Sequence, residues 1–424
     1  MSQCPNPSIQ PNQEKLVSPP TGNKTICIPC DEHQHQKLID NKVAFKAYLE
    51  EVYASHPELF PRAMAEGYEL YGFQSPSAKL GLKLRRLRFK ATKDVYTVRP
   101  SFVMPYMTGR VEDVEKAMFL RGFDVPYWGL TYVFGRDDMY WYRLEMSFGR
   151  NSIVGTTVKE AKKLPKDVGA DEKHTHHKGD KIYIATTVSE ECILGASASS
   201  SAGTEDLSRA YGVFQKEAQN VDPKYQPETV NTDGWEATGK VWKQLFPGIT
   251  IILCFLHAFL SIQKRCKKKL GDLVKEIGDR VWNVYKAEDK RSFMQRARRL
   301  REWSSQKLEG IVLDKVKSLC EKAPLFAKAY DHPNAYRTSN MVDRLMRWQD
   351  QCLFNRQYFY GKRESVELGV RAWVLLRNFH PYCSRITGKK VTVVSAAVKL
   401  NGFNYRDNWL ENLLVSASMG GYRQ

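Results

Sequence analysis

Apolar residues are spaced differently in the two halves of the chain. From about residue 37 to 70 they recur at helical spacing, at Leu38, Phe45, Leu49 and Val52. Residues 111 to 150 hold three short helical patterns separated by turns that contain glycine. Short helices joined by tight turns are typical of a helix-turn-helix, although many three-helix elements never touch DNA. We predict a mainly helical region over 26 to 160, with a possible helix-turn-helix at 111 to 150.

After about residue 165 the pattern changes from helical spacing to short alternating runs. The runs VGAD, KIYIATTV and CILGASAS predict three strands with short turns between them. A helix, the strand PETVNTD, a helix, the strand ITIILC and a further helix are predicted to follow. This order is that of an α/β layer, so we predict an α/β fold with a mixed-sheet core over 161 to 400.

Three further segments complete the predicted organisation. Residues 271 to 335 are charged and almost wholly helical in pattern, which predicts an all-helical insertion in the core. Residues 1 to 25 are rich in Pro, Ser, Asn and Gln and predict a disordered leader. We expect residues 401 to 424 to form a C-terminal tail.

The charge of the chain points to a polyanionic partner. Lys and Arg number 65 against 47 Asp and Glu, which gives a formal net charge of +18. Such a field attracts nucleic acid, although a basic protein with no such partner is the alternative. Two basic runs are candidate phosphate contacts, with a solvated face as the alternative: Lys83, Arg85, Arg86 and Arg88 in KLRRLRFK, and Arg296, Arg298 and Arg299 within the insertion.

The cysteines and the hydropathy of the chain suggest where it resides. There are nine cysteines, an odd number with mostly irregular spacing, and no secretory signal opens the chain. No apolar run approaches the roughly 18 residues that span a bilayer. We therefore expect a cytoplasmic protein with no membrane partner, associated with the nucleoid in a prokaryote or located in the nucleus of a eukaryote.

Three aspartates are candidates for chemistry on phosphodiesters. Asp171 in VGADEKHT is expected at the end of the first core strand, Asp233 in NTDGW at the end of the fourth, and Asp343 in RTSNMVDRLMRW on the helix after the insertion. Two-metal phosphodiester chemistry needs several carboxylates at one point. We expect the first and fourth strands to be neighbours, which would bring Asp171 and Asp233 together. The alternative is that each aspartate caps a turn or helix.

These motifs resemble those of insertion-sequence transposases with an RNase H-like core, and specifically the Mutator-like group. The resemblance lies in DEKHT, NTDGW, CFLH and SNMVDRLM, between residues 165 and 380. It implies an RNase H-like mixed sheet and a DDE-type recombinase. In such an enzyme Mg²⁺ or Mn²⁺ supports cleavage at transposon ends and the attack of a 3′ hydroxyl on target DNA.

The resemblance also implies roles for particular residues. Asp171, Asp233 and Asp343 would be the catalytic metal ligands, and Cys254 and His257 a structural or DNA-contact pair. The family usually has Glu at the third acidic position, so Glu364 and Glu367 are rivals of Asp343. The expected partner is double-stranded DNA, at transposon ends and target, bound by a homo-oligomer.

Other metal ligands and other functions remain open at this point. A structural zinc site at Cys27, Cys30, His33 and His35 is one interpretation, but two histidines one residue apart rarely reach the same ion. His174, His176 and His177 suggest a zinc hydrolase of small substrates, or a loop of solvated histidines beside Asp171. A DNA-binding protein that is derived from a transposase and no longer cuts is the remaining alternative. Four tryptophans are expected mainly in the core: Trp235, Trp242, Trp348 and Trp373.

Overall fold

The structure is a computed structural model, which describes residues 24–76, 80–266, 273–338, 340–355, 359–383 and 394–422. It is a mixed α/β structure with two mixed sheets, as the sequence predicts at that level. The predicted leader, residues 1 to 25, lies outside the described residues except at its end, where Thr25 already begins the first strand. Among the described residues no helix is both long enough and apolar enough to cross a bilayer.

The first sheet belongs to the N-terminal region. Its strands are β1 (Thr25–Ile28), β2 (Tyr68–Gln74), β3 (Leu84–Phe89) and β4 (Val95–Pro100), in the order β1-β4-β3-β2. Strand β1 is parallel to β4, and the other neighbours are antiparallel. This sheet is absent from the sequence prediction, which gave a mainly helical region. The basic run KLRRLRFK forms β3, in which Leu87 and Phe89 are buried.

Six helices of the N-terminal region contribute to the same apolar core as this sheet. They are α1 (Glu32–Ile39), α2 (Lys42–Ser55), α3 (Val111–Arg121), α4 (Tyr127–Phe134), α5 (Asp138–Phe148) and α6 (Ile153–Thr157). Asn41 caps α2 by accepting hydrogen bonds from the Val43 and Ala44 amides. Helices α3, α4 and α5 confirm the three helical patterns predicted between 111 and 150.

The second sheet is the α/β core. Its strands are β5 (Asp167–His177), β6 (Asp180–Ser189), β7 (Cys192–Ser199), β8 (Thr229–Thr232) and β9 (Thr250–Leu253), in the order β7-β6-β5-β8-β9. The first three form an antiparallel meander, and β8 and β9 run parallel to β5. Helices α7 (Thr204–Val221), α8 (Glu236–Leu245) and α9 (Phe255–Arg265) follow strands as predicted. The predicted side-by-side placement of the first and fourth strands is confirmed.

The segment predicted as a helical insertion follows α9. Its described part contains α10 (Leu273–Tyr285), α11 (Lys290–Lys307), α12 (Gly310–Glu321) and α13 (Ala323–Phe326). These helices bury a cluster of their own, which includes Val281, Phe293 and Val316, against Phe255 at the start of α9. The all-helical prediction is confirmed for these residues.

The chain then returns to the core in α14 (Asn340–Asn355) and α15 (Arg363–Phe379), and ends with α16 (Ala396–Asn401) and α17 (Trp409–Ser416). Helix α14 packs on β5, and α15 packs on β7. Helices α7 and α8 pack against each other and bury Tyr211, Phe214 and Trp242 in a separate cluster. The core sheet is therefore covered by helices from both before and after the insertion.

The prediction of a C-terminal tail over residues 401 to 424 is wrong. Leu410, Leu413 and Leu414 of α17 are buried. The Ser418 hydroxyl accepts a hydrogen bond of 3.0 Å from the Cys27 amide of β1 and donates one of 2.6 Å to the Leu59 carbonyl. The end of the chain is thus part of the same apolar core as the N-terminal sheet. The many apolar residues of WLENLLVS in α17 were the available signal in the sequence for this burial.

Candidate active site

Asp171 lies in the middle of β5, which corrects the expectation that it ends the first strand. Strand β5 continues to His177 because β6 pairs with it along this length, and Asp171 is opposite Thr186. Strand β8, on the other side, pairs only with residues Asp167 to Gly169. Asp171 therefore stands just beyond the point where the β5–β8 ladder stops.

Asp233 directly follows the neighbouring parallel strand β8, close to the level of Asp171. Gly169 pairs with Asn231, and each aspartate is two residues further along the chain from its member of that pair. Neighbouring strands are about 4.8 Å apart, so this register brings the two residues close together. Asp233 is exposed, and its Oδ1 accepts a 2.8 Å hydrogen bond from the Trp235 amide. Gly234 has φ +93°, which lets the chain turn out of β8.

Asp343 and His257 complete the group around Asp171. One side-chain ligand atom from each of Asp171, His257 and Asp343 lies within 4.8 Å of the other two. Asp343 is in the first turn of α14, and His257 is in the first turn of α9. Three elements that are far apart in the sequence thus meet at one point. Among the described residues this is the one group of three or more His, Cys, Asp or Glu side chains that could hold a metal ion.

In this group several carboxylates lie close to one another and to the imidazole of His257, and these neighbours shift the pKa values of Asp171 and His257. Burial raises the pKa of Asp171, and the negative charges of Asp233 and Asp343 raise it further. His257 has its pKa raised to about 9, first by a side-chain hydrogen bond with Cys254 and then by the charges of Cys254, Asp343 and Asp171. Positive charge is therefore favoured at the centre of this group.

Sequence reasoning missed Glu172, which follows Asp171 in β5. Its Oε1 accepts hydrogen bonds from the hydroxyls of Tyr211 on α7, at 2.8 Å, and Thr238 on α8, at 2.6 Å. Burial raises the pKa of Glu172 to about 7. Successive residues of a strand face opposite sides of the sheet. The available signal was that Asp171 and Glu172 are adjacent in a predicted strand, which places their two carboxylates on opposite faces of the sheet.

Glu364 and Glu367, the rivals of Asp343, lie elsewhere. Glu364 is exposed on α15. Glu367 accepts hydrogen bonds of 2.8 Å from the Ser197 hydroxyl and the Ala198 amide of β7. Strand β7 is separated from β5 by β6. Neither glutamate belongs to the group around Asp171.

The histidines after Asp171 are in a strand, so the interpretation as a loop is wrong. His174, His176 and His177 all belong to β5, whose hairpin turn comes at Lys178 and Gly179. The strand alternation sends neighbouring rings to opposite faces. His177 Nε2 lies 2.8 Å from the Gly361 carbonyl oxygen. These histidines do not form a metal-ligand group of three within the described structure.

The four candidate zinc ligands near the N-terminus also do not converge. Cys27 is buried in β1 and Cys30 just after it. His33 is exposed, whereas His35 is buried with Nε2 3.1 Å from the Lys83 carbonyl oxygen. No three of these side chains make a ligand group in the described chain.

The basic residues of β3 differ in their surroundings. Arg85 is buried, with its guanidinium 4.6 Å from the ring centre of Phe73, so the prediction of an exposed phosphate contact is wrong for this residue. Arg88 forms an ion pair with Glu69. Lys83 lies 3.6 Å from Asp40. Arg86 stacks at 5.3 Å on Tyr71 and has no carboxylate partner among the described residues.

The arginines of α11 are also unequal. Arg296 donates a 2.8 Å hydrogen bond to the Asn283 carbonyl, and Arg298 lies 3.6 Å from Glu302. Arg299 is exposed and has no ion pair within the part of the chain that the structure describes. Arg299 is therefore the member of this run whose charge is least compensated.

The possible helix-turn-helix has an apolar surface on its middle helix. Helix α4 contains no Lys or Arg. Its Trp128 is 67% exposed and Tyr132 is 87% exposed. Contact between this element and DNA stays a prediction, and phosphate attraction would have to come from its neighbours.

The tryptophans follow the core prediction only in part. Trp242 and Trp373 are buried, which confirms core packing for them. Trp348 is partly buried, with the Arg377 guanidinium 4.6 Å from its ring centre. Trp235 is 48% exposed, immediately after Asp233 and Gly234. An aromatic ring is thus exposed to solvent beside the acidic group.

Comparison with known proteins adds no relative at this point. No protein-family model matches the chain, and no curated protein matches it either.

Proposed function

We propose that the protein is a DDE-type DNA transposase, which cleaves DNA at transposon ends and joins the freed 3′ hydroxyl to target DNA. The observation that carries this proposal is the convergence of Asp171 and Asp343 from distant elements, with Asp233 directly after the next strand, close to the level of Asp171. Carboxylates from a central strand, its neighbour and a late helix are the set that the proposed chemistry requires.

The topology of the core sheet supports an RNase H-like fold. An antiparallel meander of three strands, followed by two strands parallel to the first, gives the order β7-β6-β5-β8-β9. The acidic residues lie on the central strand, directly after the strand beside it, and on α14 after the helical insertion. The arrangement agrees with the resemblance in DEKHT, NTDGW and SNMVDRLM.

The donor atoms of the group fit Mg²⁺ or Mn²⁺. Both ions prefer carboxylate oxygens, and Asp171 and Asp343 supply them close together. When bound, such ions activate the attacking oxygen and stabilise the leaving one. The chain itself fixes Asp171 in a sheet that is paired on its β6 side, and holds Asp233 through the Trp235 amide. The site is thereby organised before DNA arrives.

DNA is the proposed partner, held by charge outside the acidic group. The net charge of +18 supports attraction to a polyanion, and Arg86 and Arg299 are the candidate contacts with least compensation. We further propose a homo-oligomer on paired transposon ends, and a cytoplasmic, nucleoid-associated or nuclear location according to the host.

The test is strand cleavage of DNA that carries the element's own ends, with Mg²⁺ or Mn²⁺. Asp171→Ala, Asp233→Ala and Asp343→Ala should each abolish cleavage while DNA binding is retained. Asp314→Ala, at an exposed aspartate of α12, is the matched control and should cleave normally. DNA binding without cleavage by the unaltered chain would instead establish a protein derived from a transposase that no longer cuts.

A further inference from the structure

The spacing of Cys254 and His257 places both at the start of α9, where their side chains meet. Cys254 is the residue before the helix, and His257 is the third residue within it. Cys254 is therefore the N-cap residue and His257 the N3 residue of α9, two positions that are close together at the start of a helix. The two side chains here form a hydrogen bond. The pair is therefore a local unit that fixes the direction of the imidazole.

The imidazole so directed lies among the carboxylates. A ring nitrogen of His257 is within 4.8 Å of a carboxylate oxygen of both Asp171 and Asp343. Cys254 is buried and does not belong to this group. A hydrogen-bond partner behind a histidine that faces a metal is the usual outer support of a metal ligand. The geometry thus divides the motif into one residue that orients and one that faces the site.

We propose that His257 is a metal ligand together with Asp171 and Asp343, and that Cys254 is the residue that positions it. The inference rests on the metal site of the proposed function. His257 would thus add one nitrogen donor to the carboxylate oxygens of the proposed metal site. An imidazole donor suits transition metals, whereas Mg²⁺ prefers oxygen ligands. The site therefore selects Mn²⁺ over Mg²⁺.

The first measurement is Mn²⁺ binding to the full chain without DNA, followed by electron spin-echo envelope modulation of the complex. A directly bound imidazole gives a ¹⁴N coupling, which we expect in the unaltered protein. Mg²⁺ should displace Mn²⁺ only at a concentration at least about tenfold above that of Mn²⁺. Absence of the nitrogen coupling in the folded protein with bound Mn²⁺ would overturn the proposal.

The decisive variant is His257→Asp, which replaces the nitrogen donor by an oxygen donor. It should lose the ¹⁴N coupling, keep Mn²⁺ binding and narrow the preference for Mn²⁺ over Mg²⁺ by about tenfold or more. If His257→Asp does not fold, as checked by its melting temperature, His257→Gln is the second variant. It should lose the ¹⁴N coupling and bind Mn²⁺ more weakly. His174→Asp, at an exposed histidine of β5, is the matched control and should change neither property. A nitrogen coupling that persists in a folded His257 variant would sink the assignment.

Two variants of Cys254 test its positioning role, and Asp171→Asn separates this inference from the proposed function. Cys254→Ser keeps a side chain able to hydrogen-bond His257 and should retain the nitrogen coupling, whereas Cys254→Ala should weaken Mn²⁺ binding by about tenfold. Asp171→Asn should lower Mn²⁺ affinity in any account that places a metal here. If Asp171→Asn binds Mn²⁺ as the unaltered chain does, the metal site of the proposed function fails. If Asp171→Asn weakens binding and His257→Asp leaves the spectrum unchanged, only the role of His257 fails.

Discussion

The Arg371 guanidinium on α15 forms a buried ion pair with the Glu217 carboxylate on α7. Arg371 also donates hydrogen bonds to the carbonyls of Gly149, at 3.0 Å, and Asn151, at 2.7 Å. Glu217 accepts a further bond of 3.0 Å from the Ser152 hydroxyl at the start of α6. Both helices pack on β7. This one pair therefore joins two helices of the core to the segment that leads out of the N-terminal region.

We expect Glu217→Ala to destabilise the fold by about 3 to 5 kcal/mol, because it leaves the Arg371 charge buried without its partner. Urea unfolding followed by circular dichroism measures the loss. Glu236→Ala removes the partner of Lys240 in an exposed pair and should cost far less, because solvent screens an exposed pair. Equal losses in the two variants would show that burial of the pair does not decide its contribution.

The C-terminal helix should contribute as much to stability as any internal helix. Leu413 is fully buried in α17, so Leu413→Ala should lower the free energy of unfolding by about 2 to 5 kcal/mol. Leu325→Ala, at a leucine that is 40% exposed in α13, provides the control and should cost clearly less. Indifference of the unfolding curve to Leu413→Ala would restore the interpretation of these residues as a tail.

His380 should make the fold sensitive to acid. Its ring is buried, stacks on Phe119 at 4.5 Å, and burial lowers its pKa below the usual 6.5. The unfolded chain then takes up a proton at a higher pH than the folded one. Stability is present above pH 6.5 and is lost as the pH falls from 6.5 through the lowered pKa.

The variant His380→Gln should therefore show a shallower loss of unfolding free energy between neutral pH and pH 5 than the unaltered chain. Urea titrations at several pH values measure the slope. A decline should remain in part, because burial also lowers the pKa of His35. His33→Gln changes an exposed histidine and should leave the slope as it is. A slope that His380→Gln does not alter would contradict the assignment.

If the proposed function holds, Arg86 should contribute more to DNA affinity than Arg88. Arg86 has no carboxylate partner among the described residues, whereas Arg88 is paired with Glu69. Arg86→Gln should weaken binding and reduce the slope of log affinity against log salt by about 1. Arg88→Gln is the matched substitution on the same strand and should change the slope less. Fluorescence anisotropy over a salt series distinguishes them, and a larger effect at Arg88 would contradict the ranking.

Local patterns were sufficient for the core because its elements follow one another in the sequence. The meander β5, β6 and β7 pairs neighbours along the chain, so each turn between alternating runs predicted a hairpin. The proximity of Asp171 and Asp233 followed from placing the first and fourth strands side by side. The position of Asp171 within β5 could not be predicted in this way, because the polar run DEKHTHH belongs to the strand only through its pairing with β6.

The N-terminal sheet and the role of His257 depend on partners that are distant in the sequence. Strand β1 pairs with β4, which is about 70 residues later in the chain. In β3 the arginines obscure the alternation of apolar and polar residues, because a long basic side chain can bury its apolar stem. Arg85 shows this most clearly, since it lies against Phe45 and Phe73 in the interior. His257 meets Asp171 and Asp343 only in three dimensions. The spacing of apolar and polar residues along the chain does not predict these contacts, because the partners are far apart in the sequence.

The bond between Ser418 and the Cys27 amide joins the first strand to residues near the end of the chain. During synthesis the N-terminal sheet emerges early, whereas Ser418 follows Cys27 by 391 residues. The apolar surface of β1 therefore stays partly exposed until α17 has been synthesised and can pack against it. Contacts of such long sequence separation slow folding, and they make completion of the N-terminal region a late event that requires α17.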